Sequence, residues 1–168
     1  MGATALRLAK DFSGLVLAAR NGEALKEVAA EVKSSGADPL AFALDLSIRE
    51  SAETLIKGTL DRFGRIDALL NIAGAVPQID LFEMTDEQWL AGLELKFHGA
   101  RRLTILAWEA LKASKGSVVL ISGSAALDPN LVLLQSPRSM RPSSRLRRLL
   151  PNRASRMVYK SIVLYRAR

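Results

Sequence analysis

Four polar positions stand at the carboxyl ends of short apolar runs: Arg20 after "LVLAA", Asp45 after "LAFAL", Asn71 to Gly74 in "NIAGA", and Ser122 to Ser124 after "VVLI". Arg20 offers a planar guanidinium able to hold a phosphate through two hydrogen bonds, or is an ordinary surface arginine. Asp45 offers acceptors for an adenine or a ribose, or caps the helix that follows. In "NIAGA" one short polar side chain, Asn71, precedes the small residues Ala73 and Gly74. Small residues let a flat or charged ligand approach the backbone, and glycine takes dihedrals closed to others; the same residues would also make a plain strand-to-loop turn. His98 is the only histidine and the chain has no cysteine. That excludes a histidine-rich metal site, thiolate ligands and disulfides, so no metal site is expected, and a cytoplasmic location suits the composition.

The elements that must position these residues follow from periodicity. Ala5, Leu8, Ala9 and Phe12 fall at i, i+3, i+4 and i+7, one face of a helix, and Leu25, Val28, Ala29 and Val32 repeat the spacing. Leu15–Arg20, Leu40–Asp45, Ile66–Asn71 and Ser117–Ser122 read as strands, the first apolar enough to be buried on both faces. Ser47 with Glu50 predicts a capping box for a helix carrying Leu55, Ile56, Leu60 and Phe63 inward, closed by Gly64. Thr85 with Gln88 predicts a second capping box before a long helix through Leu111. Strands alternating with helices imply βαβ units and a parallel sheet, whose ligands bind beyond the carboxyl ends of the strands.

Charge divides the chain in two. Met1–Asp128 holds 14 Lys and Arg and all 17 Asp and Glu, a balance of −3, whereas 130–168 holds ten basic residues and no acid, a balance of +10. The basic character therefore belongs to the tail. No apolar run is long enough to span a bilayer, so no membrane partner is expected. Arg7 and Lys10 interrupt the start, unlike a signal peptide.

The stretches "LVLAARNGEAL", "LDLS", "DRFGRIDALLNIAG", "MTDEQW" and "GSVVLISGSAAL", in this order, make Gly2 to about Asp128 resemble the short-chain dehydrogenase/reductase family. The resemblance implies an α/β fold, a Rossmann-like parallel sheet with flanking helices, here incomplete, with the first strand and the last third missing. It implies NADP or NAD as cofactor, a small-molecule carbonyl or alcohol as substrate, and admits a homo-oligomer. It places Asp45 and Leu46 beside adenine, Asn71, Ala73 and Gly74 beside the adenosine ribose, and Arg20 where an arginine favours the 2′-phosphate of NADP. Gly2 matches the last glycine of the family's TGxxxGxG loop, whose amides and helix dipole cradle a pyrophosphate.

The departures are as informative. The other glycines of that loop and the strand before it have no match in this sequence, so dinucleotide affinity is expected to fall and the neighbouring strands to lose their partner. The family's active site uses Ser, Tyr and Lys with a supporting Asn. Ser122 and Ser124 flank the Ser position, which falls on Gly123, and Lys96 stands at the Asn position. No Tyr is followed four residues later by Lys: Tyr159 is followed by Val163, and Tyr165 by the end of the sequence. Lys96 and His98 are expected to be solvated helix residues, and Trp89 and Trp108 to pack helices.

Residues 1–129 thus read as a partial dinucleotide-binding domain and 130–168 as a basic tail without fixed structure. Clustered arginines in the tail would bind nucleic acid in a salt-sensitive way if the tail is functional, which gives a second reading, a non-catalytic module with a nucleic-acid-binding arm. Codons permitted for Arg141–Arg168, read two bases later, can instead encode a segment resembling the family's next helix and strand end. A reading-frame slip near Asn130 would account for the tail, and even that shifted frame allows neither Tyr nor Lys at the family's positions.

Overall fold

The computed structural model describes residues 2–72, 82–121 and 160–165. The elements in order are α1 (Gly2–Leu8), β1 (Gly14–Ala19), α2 (Gly22–Ser34), β2 (Asp38–Ala43), α3 (Arg49–Phe63), β3 (Ala68–Asn71), α4 (Asp86–Leu93), a π-helical segment (Glu94–Gly99), α5 (Ala100–Ser114), β4 (Ser117–Leu120) and β5 (Lys160–Tyr165). The sheet runs β2-β1-β5-β3-β4. β1 pairs with β2 and β3 with β4, both parallel, as expected of βαβ units.

All six residues of β1 are buried, and alternation assigns them to two cores. Leu15, Leu17 and Ala19 face Ala5 of α1, Ala9 just beyond it, and Leu25 and Val32 of α2. Val16 and Ala18 face Leu55 and Ile56 of α3 and Leu103, Ala107 and Leu111 of α5. A strand with both faces covered by helices needs no polar face, which is why "GLVLAA" carries none. β2 lies at the sheet edge, where Pro39 removes no needed ladder hydrogen bond.

The basic tail does not stay outside this sheet. Lys160–Tyr165 forms β5, antiparallel to both β1 and β3, with Val163 opposite Val16 on one side and Leu69 on the other. The family's first strand is missing, as expected, and β5 stands in its place between β1 and β3, so these two strands do not lose their ladder partner. The physical reason is the ladder itself. Two flanking strands with unpaired N–H and C=O groups in a buried setting accept a segment from elsewhere in the chain, and "KSIVLY" is β-branched and apolar enough to serve. The sheet is therefore mixed rather than wholly parallel. Residues 131–159, with the Arg-rich stretch read as a nucleic-acid-binding arm, lie outside the described residues.

Two helix ends depart from or extend the sequence pattern. The Ser47–Glu50 capping box does not form: α3 starts after Ile48, with no side-chain cap, because Asp45 Oδ1 engages the Ser47 hydroxyl at 2.8 Å. The Thr85–Gln88 box forms in full, with Thr85 N donating to Gln88 Oε1 at 3.0 Å and Gln88 N to Thr85 Oγ1 at 3.3 Å. Gly64 ends α3 with φ 69°, as its position implied. Trp89 and Trp108 are each 55% exposed, so neither is the packing residue that its helix position suggested. α5 ends at Lys115, whose φ of 55° is the left-handed conformation that a side chain disfavours. Lys115→Gly is expected to raise stability by about 1 kcal/mol, read as an increase in melting temperature.

Candidate functional site at the strand ends

Because β1, β2, β3 and β4 all point the same way, their carboxyl ends share one edge of the sheet. Arg20 follows β1 directly, Asp45 lies two residues beyond β2, and Asn71 is the last residue of β3. β5 runs the other way, so its first residue, Lys160, stands opposite Ala19 at this same edge, and Ser161 stands opposite Asn71.

Asp45 and Arg20 are brought together. Arg20 Nη1 lies 3.7 Å from Asp45 Oδ2, while Asp45 Oδ1 accepts from the Ser47 backbone N–H at 2.9 Å. Asp45 does not cap α3, whose N-cap is Ile48; its Oδ1 organises the turn before that helix through Ser47, and its Oδ2 faces Arg20. Partial burial works against the carboxylate, but the Ser47 N–H, the Ser47 hydroxyl and the Arg20 guanidinium overcome it and hold the carboxyl below its ordinary value of 3.8. A carboxyl lowered in the folded state contributes stability that is present above its unfolded value and lost as pH falls through its folded one. Asp45→Asn is therefore expected to destabilise the chain at neutral pH. That deficit shrinks as the pH falls below 3.8, the ordinary value from which the folded carboxyl is lowered, and denaturant titrations at several pH values check it.

Asn71 is 5% exposed, and neither its Nδ2 nor its Oδ1 has a hydrogen-bond partner among the described residues. Its backbone carbonyl accepts from Ile121 N at 3.2 Å, so the strand end is well fixed while the side chain is unsatisfied. A buried primary amide without partners costs roughly 1–3 kcal/mol per unmade group. Such a residue marks a place where a polar ligand atom would be stabilising.

Leu46 is buried and belongs to the core cluster beneath the turn. Gly2 begins α1, where a Cβ would meet Val28 Cγ2 at 3.8 Å, ordinary contact, so the position makes no steric demand for glycine. Ala73, Gly74, Ser122 and Ser124 lie outside the described residues. Lys96 sits in the π-helical segment and is half-buried, as is His98, whose ring meets Phe97 edge-on at 5.4 Å.

Three residues at this edge were not singled out from the sequence. Arg102 Nη1 donates to the Ser47 carbonyl at 3.3 Å and pairs with Glu94. Gly99 stands so close to the Asp45–Ser47 turn that a Cβ there would lie 2.8 Å from the Leu46 carbonyl oxygen. Nothing in "GLELKFHGARR" announces the two contacts with the turn, since they join residues about fifty positions apart.

The family model for short chain dehydrogenases matches residues 2–134. A 3-oxoacyl-[acyl-carrier-protein] reductase of Synechocystis is 32% identical over 130 residues, covering 76% of this chain and 53% of that protein. An uncharacterized oxidoreductase of Listeria innocua is 27% identical over 124 residues, covering 74% of this chain and 50% of its own. Among solved structures, L-sorbose reductase of Gluconobacter frateurii, complexed with NADPH and L-sorbose, superimposes with a TM-score of 0.70 at 26% identity, covering 76% of this chain and 50% of that one. The chain thus spans about half the length of these relatives. The match covers every described element but β5, and with it the chain belongs to the short-chain dehydrogenase family.

Proposed function

We propose that the edge formed by Arg20, Asp45, Leu46 and Asn71 binds the adenosine half of NADP(H) or NAD(H), as part of carbonyl/alcohol oxidoreduction on a small molecule. The observation that carries the reading is Asn71, a buried amide whose two polar atoms have no partner among the described residues, at the edge where α/β sheets bind ligands. The residues present fit this end of a dinucleotide. Asp45 and Arg20 supply an acceptor and a cation side by side, the Asp45–Ser47 turn a fixed wall, and Asn71 a donor and an acceptor. A bound nicotinamide dinucleotide supplies or accepts the hydride. This chain's residues bind and orient it, Ser122 or Ser124 would hold the substrate oxygen, and Ala73 and Gly74 would border the ribose.

The proton is the weak point. Carbonyl reduction needs a donor at the carbonyl oxygen, typically worth 10²–10⁴-fold in rate. No tyrosine in the chain is followed four residues later by lysine, so the family's pair is missing. Turnover in this chain is therefore weak or absent. Titration with NADPH and NADH, followed by nicotinamide fluorescence, tests the binding. Arg20→Ala is expected to weaken NADPH about tenfold, the scale of a hydrogen bond between charged groups, and NADH much less. Equal losses for both would remove Arg20 from 2′-phosphate recognition.

A further inference from the structure

We infer that Arg102 of α5 is a positioning residue for the Asp45–Ser47 turn, acting with Glu94 and Gly99 of the π-helical segment; this rests on the dinucleotide reading above. The turn is held at one carbonyl and closely packed at the one before it. Ser47 O accepts from Arg102 Nη1 at 3.3 Å, and Leu46 O is approached by Gly99 so closely that a Cβ would stand 2.8 Å away. Arg102 is in turn fixed by Glu94, in a pair whose side chains are 24% and 37% exposed.

The π-helical segment makes this arrangement possible. Eight residues along a regular α-helix leave two side chains about 80° apart around the axis. The wider turns of i→i+5 bonding between Glu94 and Gly99 take up part of that rotation and let Glu94 and Arg102 share a face. Gly99, at the end of the same segment, is turned against Leu46. One local irregularity thus serves both contacts, and it fixes the adenine-side wall before any ligand arrives, which lowers the ordering cost of binding.

Amide hydrogen exchange and NADPH titration on the full chain test this. Arg102→Met is expected to raise the NADPH Kd about tenfold, the scale of one hydrogen bond from a charged group. It is also expected to speed exchange at the Ser47 and Ile48 amides while leaving β1 and α2 unchanged. Gly99→Ala would disturb the same amides from the other side, and Arg102→Lys would recover part of the loss. If Arg102→Met does not fold, Arg102→Lys and Glu94→Gln carry the same two readouts. Faster exchange with unaltered NADPH affinity would confine Arg102 to structure and overturn the positioning role, as would no change in either. Absence of NADPH binding in the unaltered chain would overturn the dinucleotide reading together with this one. Binding that Arg102→Met leaves untouched would overturn this one alone.

Discussion

Replacing Val163 with proline is expected to abolish the cooperative unfolding transition, and ending the chain at Asn130 to do the same. β5 is the central strand, and it supplies the ladder partners of all six residues of β1 and all four of β3. Without it the sheet falls into two pairs, β2-β1 and β3-β4, and an isolated two-stranded pair is at best marginally stable. Proline at 163 removes a ladder N–H in the middle of a strand paired on both sides, and each buried group left unpaired costs roughly 1–3 kcal/mol. Stabilities of whole domains lie at roughly 5–15 kcal/mol, so a few such losses are decisive. Circular dichroism against urea reads the result. A shortened chain that unfolds with the same midpoint would contradict the strand's role and return the tail to its alternative reading as a free basic arm.

Asn71 gives the second large effect, in two directions. Asn71→Ala removes two buried unpartnered atoms, each costing roughly 1–3 kcal/mol, and leaves only a small cavity. The apo chain is therefore expected to hold or gain stability while dinucleotide binding drops tenfold or more. Asn71→Asp places a carboxylate in the same buried, partnerless position, with an expected loss of roughly 3–5 kcal/mol at neutral pH. Burial raises the pKa of such a group, so its destabilisation is present above the folded pKa and is relieved as pH falls through it. Denaturation of both variants with and without NADPH separates the cases. A clear loss of apo stability in Asn71→Ala would show that the amide is already satisfied.

Much of this arrangement could be read from the sequence because strand ends carry the chemistry in parallel sheets. The apolar run "LVLAAR" announced a strand covered on both faces, and the order of strands and helices put Arg20, Asp45 and Asn71 on one edge. β5 could not be read in that way. Its partners lie about 90 to 150 residues earlier in the chain, and its surroundings, rich in arginine and proline, resemble a solvated tail. The failed capping box has a local cause: Ser47 had two candidate partners, and the Asp45 carboxylate, two residues away, is the stronger acceptor. Arg102 escaped notice because its pairing with Glu94 depends on a π-helical turn, and no periodicity signals one in advance.

Fluorescence titration of the unaltered chain with NADPH, run together with a carbonyl substrate panel, is the most direct test. The expected result is saturable binding weaker than micromolar, reduced by Arg20→Ala and by Asn71→Ala, with no sustained loss of nicotinamide absorbance. Micromolar affinity with steady NADPH oxidation would contradict the account, as would no binding at any concentration.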